Sequence, residues 1–123
     1  RRPVLQLQDF ADQPFVSLSA GDPYRRLIDA CFAEAGVARS LRVETHSAAA
    51  VCAMVQQGLG VAIVNPLTAI AEASERLVLR RLAFSIPFSV AALRPLYRPP
   101  LPEVAPMLEA LKQEAQRISL LIQ

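Results

Sequence analysis

The run from Glu44 to Pro66, ETHSAAAVCAMVQQGLGVAIVNP, limits the possible folds most, because strand end, helix and strand follow one another almost without linker. Leu41-Arg42-Val43-Glu44-Thr45 alternates apolar and polar residues, the period of a half-buried strand. Thr45, His46 and Ser47 then place three short polar side chains where a helix begins. Ala48, Val51, Cys52 and Val55 share one face of that helix, and Gly58 stops it. Gly60-Val61-Ala62-Ile63-Val64 is continuously apolar and reads as a strand buried on both faces. In an open α/β sheet such a unit gathers helix N–H groups and hydroxyls at the carboxyl edge of the strands, where small ligands bind. No residue in the run looks built for catalysis, since its lone His and Cys have no partner at catalytic spacing. The pattern predicts a binding cleft.

The flanking sequence extends the alternation of strands and helices. Gln6 to Asp12 reads as a polar turn or a single helical turn, and Pro14 to Leu18 as a strand. Asp22 caps a helix over 23–35 with Pro23 at its first position, where a missing N–H costs nothing. Leu27, Ile28, Cys31, Phe32 and Ala35 form its apolar stripe, and Gly36 ends it. The order continues with a strand over 41–45, a helix over 47–57, a strand over 60–64 and a short helix from Leu67 to Ala73. Strands are then expected at 77–82 and 88–93. A proline-rich connector, Arg98 to Pro102, leads to an amphipathic helix over 103–122. The expected fold is an α/β domain with a mostly parallel sheet flanked by helices.

Composition excludes several classes. Apolar residues make up 53% of the 123 and charged residues 20%, values of a chain that packs a core. No apolar run nears the roughly 20 residues of a membrane span. A net charge of +2, with arginines scattered along the chain, gives no stripe for gripping nucleic acid. Cys31 and Cys52 fall on apolar helix faces with no CxxC pattern, so buried, reduced thiols of a cytosolic protein are expected, with no metal. The beginning Arg1-Arg2-Pro3 has neither an initiator Met nor a signal-peptide core, which reads as a piece of a longer chain.

Five residues are candidates for ligand contact: Ser17, Ser19, Asp22, Thr45 and His46. Ser17 and Ser19 end the first strand ahead of a capped helix, and Thr45 ends the next. Each has a bland alternative. Serines satisfy turn backbone, Asp22 and Ser47 cap helices, and a lone histidine without Cys, His or acidic partners at ligand spacing is not a metal site. Gly58 and Gly60 read as backbone devices, for the helix end and for close strand entry. No paired carboxylates, Cys/His couple or phosphate-cradling glycine loop stands at the strand ends, which argues against an enzyme.

These residues carry a resemblance. Phe15-Val16-x-Leu18, the helix ending Cys31-Phe32-Ala33-Glu34-Ala35-Gly36-Val37, and Val55-Gln56-Gln57-Gly58-Leu59-Gly60-Val61-Ala62-Ile63-Val64-Asn65-Pro66 are similar to the effector-binding domain of LysR-type transcriptional regulators. Glu44-Thr45 with Ala50 to Val55, and Val64 to Ala69, look most like the branch that senses basic amino acids and opines. The resemblance implies a type 2 periplasmic-binding-protein-like fold of two subdomains, here truncated. Residues 1–93 would be the second subdomain, and 94–123 the connector and helix that return to the first. It implies no cofactor and a small polar metabolite, such as an amino acid or opine, as effector. It also implies homo-oligomers built through helix 23–35, strand 41–45 and the C-terminal helix, and promoter DNA bound only through a preceding helix-turn-helix. A solute-binding lobe of a periplasmic-type transport protein is the alternative reading of the same architecture.

Overall fold

The computed structural model describes residues 4–122; Arg1-Arg2-Pro3, read above as an internal beginning, and Gln123 lie outside the described residues. By contacts the chain forms two compact units, residues 1–88 and 89–123.

In the first unit β1 is Val4–Leu5, β2 Pro14–Leu18, β3 Ser40–Thr45 and β4 Arg81–Leu82. The helices are α1 Pro23–Ala35, α2 Ala48–Gln56 and α3 Pro66–Ala71, and a short 3-10 turn covers Leu7–Phe10. β2 and β3 pair in parallel, Pro14 opposite Ser40 and Leu18 opposite Thr45, with an irregularity between Phe15 and Val16. β1 pairs in parallel with β4. All of this pairing is parallel, as the alternation of strands and helices requires.

The chain turns into α1 for the reasons its sequence states. The Asp22 carboxylate accepts from the N–H groups of Tyr24 (2.8 Å) and Arg25 (3.2 Å), and Pro23 stands at the first position. At the other end Gly36 takes φ 65°, its N–H reaches the Ala33 carbonyl, and the Val37 N–H returns to the Phe32 carbonyl. That closure needs a left-handed residue, which glycine adopts without Cβ strain. Ser47 caps α2 through the Ala50 N–H, and Asn65 caps α3 through the Thr68 N–H.

Two side-chain clusters make the core. Phe10, Phe15 and Phe32 meet edge to face with Ile28 and Ile63 in one. Val16, Leu18 and Val51 form the other, from β2 and α2. Tyr24 packs at the edge of both, its ring against Phe88.

The structure corrects three strands. Residues 60–64 make a single parallel bridge, Val61 to Phe15, and not a continuous strand. Ile63 still enters one cluster while Ala62 and Val64 touch the other, so both faces are used, yet Val61 itself is exposed. Of 77–82 only Arg81 and Leu82 form a strand, and Leu77 makes a single antiparallel bridge to Ser74. Residues 88–93 form no strand, and Val90 and Leu93 are exposed. A strand needs a neighbour along its length for its N–H and C=O groups; 60–64 and 77–82 meet one only over a step or two, and 88–93 pairs with no strand among the described residues. On α1, Leu27 and Ala35 prove exposed and Cys31 half-buried; Cys52 is buried as expected.

The second unit holds α4, Val104–Ile122. The apolar stripe of this amphipathic helix carries Met107 and Leu111, which are exposed, as are Leu120 and Leu121. Glu114 and Arg117 pair on its surface, Nε to Oε2 at 3.0 Å.

Candidate functional site

Parallel pairing brings the carboxyl ends of β2 and β3 side by side, each running into the N-terminus of a helix. The ladder continues one step past β2: the Ser19 N–H donates to the Thr45 carbonyl at 3.0 Å. Ser19 Oγ lies 3.0 Å from His46 Nδ1, so these two side chains share a hydrogen bond across 27 residues of sequence. The Thr45 hydroxyl accepts from the Ser47 N–H at 3.5 Å, and the Asp22 N–H donates to the Ser19 carbonyl at 3.0 Å. Ser19, Thr45 and His46 therefore stand together at one edge, His46 exposed and the other two half-buried.

The remaining two candidates sit differently. Ser17 is 3% exposed, and its hydroxyl donates to the Leu18 carbonyl at 2.8 Å. Asp22 stands beside the edge with its carboxylate engaged by the α1 cap. Hydroxyls and two helix N-termini facing one edge can receive a carboxylate or another small anionic group. Among the described residues no group of His, Cys, Asp and Glu is arranged to hold a metal ion.

Below this edge runs an ionic network that the sequence reading missed. Arg25, 7% exposed, directs Nε to both Asp29 oxygens at 2.9 Å and Nη1 to the Leu18 carbonyl at 2.7 Å and Glu44 Oε1 at 3.1 Å. Burial pulls its pKa down, but the hydrogen bonds and charges of Asp29 and Glu44 outweigh that and leave it raised. Arg39 also pairs with Asp29 and lies over the rings of Phe32 (4.4 Å) and Phe15 (4.8 Å). Its Nη1 is buried without a hydrogen-bond partner among the described residues, a cost the two aromatic faces partly offset. Only the four-residue spacing of Arg25 and Asp29 within one helix signalled any of this in the sequence. Arg39 and Glu44 come from elsewhere in the chain.

A separate cavity of about 360 Å³ opens among Leu5, Phe10, Cys52, Ile63 and Leu77. None of the five candidates lines it. Burial, and secondarily the Glu72 charge, pushes the Cys52 thiol above its ordinary pKa, so the cavity holds no reactive thiolate at neutral pH.

Comparison with known proteins shows the family and the fold. Over 96 residues the chain is 51% identical to the transcriptional activator protein LysR of Escherichia coli K12, covering 78% of this chain and 31% of that protein. The chain thus spans about a third of the length of that curated relative. The crystal structure of HinK, a LysR family transcriptional regulator from Pseudomonas aeruginosa, shares the fold with a TM-score of 0.54. That likeness covers 69% of this chain and 30% of HinK at 23% identity. The family described as the LysR substrate binding domain matches residues 1–116. With its parallel strand edge and a family match over nearly its whole length, this chain belongs to the LysR substrate binding domain family.

Proposed function

We propose that this chain is the second effector-binding subdomain of a cytoplasmic transcriptional regulator, residues 94–123 connecting it back to a first subdomain. The observation that carries the reading is the meeting of Ser19, Thr45 and His46 at a parallel strand edge beside two helix N-termini. The identity to a transcriptional activator favours a regulator over a lobe of a transport protein, and the family is one of regulators, not of enzymes. In the parent protein a helix-turn-helix would bind DNA and the effector would regulate it. The effector is a small polar metabolite with an α-amino acid carboxylate, a basic amino acid or an opine, held by Ser19, Thr45 and His46, with Ser17 and Asp22 shaping the edge. Leu27 on α1 and Leu41 on β3, both exposed, support pairing of copies through these elements, with α4 as a further surface.

Calorimetric titration of the full-length protein with L-lysine, L-arginine and octopine tests this reading. One of them should bind, and Thr45→Ala with Ser19→Ala should weaken it by about 1–3 kcal/mol for each buried hydrogen bond lost. Unchanged affinity in the double variant would remove this edge from the effector site.

A further inference from the structure

We propose that Arg25 is the positioning residue of the strand-edge site, a single buried guanidinium that sets the spacing of the two strand ends. This deepens the function proposed above and rests on reading that edge as the effector site.

The contacts fall on particular residues. Leu18, whose carbonyl Arg25 holds at 2.7 Å, immediately precedes Ser19. Glu44, held at 3.1 Å by the same nitrogen, immediately precedes Thr45 and His46. One Nη1 therefore grips the last residue of β2 by its backbone and the next-to-last residue of β3 by its side chain. The Ser19 N–H to Thr45 carbonyl bond lies just beyond that grip. The guanidinium is fixed from behind: Nε binds both oxygens of Asp29, and Asp29 is held in turn by Arg39 on the Phe15 and Phe32 rings. A continuous line of contacts runs from the aromatic core to the ligand edge.

The residue type suits the task. A planar fork reaches three acceptors in fixed directions, whereas a lysine ammonium is a point charge on a flexible stem. Arg25 is buried but Asp29 and Glu44 are partly exposed, so solvent screens these pairs and they add little net stability; geometry is what such a network supplies. At the edge, geometry decides whether hydroxyl, imidazole and N–H groups converge on one small ligand.

Amide hydrogen exchange by NMR on this chain tests the positioning without any ligand. In Arg25→Gln the Ser19 amide should exchange at least about tenfold faster, and the Thr45, His46 and Ser47 resonances should shift. The Val16 and Val37 amides, bonded to the Val61 and Phe32 carbonyls, should stay within about twofold of wild type. Arg25→Lys, which keeps the charge and loses the fork, should not restore Ser19. Equal acceleration at the Ser19, Val16 and Val37 amides, or a wild-type Ser19 rate in either variant, overturns the proposal. Should Arg25→Gln fail to fold, Glu44→Ala carries the same test: it removes the acceptor of the arm to β3 and should accelerate Ser19 alone, and an unchanged Ser19 again overturns it.

Binding gives a second readout. Whichever of L-lysine, L-arginine or octopine binds the full-length wild type should bind Arg25→Lys at least about tenfold more weakly; equal affinity overturns the link to the ligand. If the wild type binds none of them, the basic amino acid or opine reading fails, while the exchange result still decides the role of Arg25.

Discussion

Gly60 shows how tightly one residue can be held by its backbone. Its φ is 156°, and a Cβ there would lie 2.3 Å from the Pro14 carbonyl oxygen, which itself accepts from the Val61 N–H at 2.9 Å. Neither backbone can retreat without breaking the β2 contact. Gly60→Ala should therefore lower stability by about 3 kcal/mol, read from the shift of a urea unfolding midpoint. Cys52 and Tyr24 make a second prediction. Burial holds the proton on both, with the Glu72 charge adding to the first and Cys31 to the second. The folded state thus binds these protons more tightly than the unfolded chain. The stability they contribute is whole below the ordinary values of 9.0 and 10.0 and falls as pH rises past them. Urea unfolding should show this loss between about pH 8 and about pH 11, and Cys52→Ala should flatten the thiol's share of the slope.

Among the elements, α1 carries the most separable parts. Its cap, its closing glycine and its buried arginine act at different points, so each can be changed alone. Asp22→Ala removes the acceptor of two N–H groups and should cost about 1 kcal/mol in chemical denaturation, leaving the Gly36 end intact. The elements that failed to form are equally instructive. Residues 88–93 have strand composition, but residue type sets only which backbone a segment prefers, and a ladder needs a second strand. Helix α4 satisfies its own backbone, so it forms along the expected length even with Met107 and Leu111 exposed.

For the whole molecule, charge and exposed apolar surface point to different partners. With a net charge of +2 and no basic stripe, little counterion release is available, so this chain by itself should show no sequence-specific binding to DNA at physiological salt. Fluorescence anisotropy with promoter DNA checks this, and submicromolar specific binding would contradict it. The exposed Met107, Leu111, Leu120 and Leu121 should instead drive self-association. Light scattering should show mass rising with concentration, and Leu111→Lys should reduce that rise while changing unfolding free energy by no more than about 0.5 kcal/mol.

Local chemistry in the sequence determined whatever a segment could settle within itself. Asp22 and Ser47 specified two helix starts, Gly36 a helix end, and the period-two pattern the strand of β3, because caps, turns and alternation act over a few residues. The strand-end positions of Ser19 and Thr45 were legible for the same reason. Only the tertiary structure decided that Ser19 meets His46, that Ser17 points inward, and that Arg25, Asp29, Arg39 and Glu44 form one network. These pairings depend on which strands lie side by side and how a helix is rotated over them. Interactions between groups far apart in the chain fix that choice, and no local pattern encodes it.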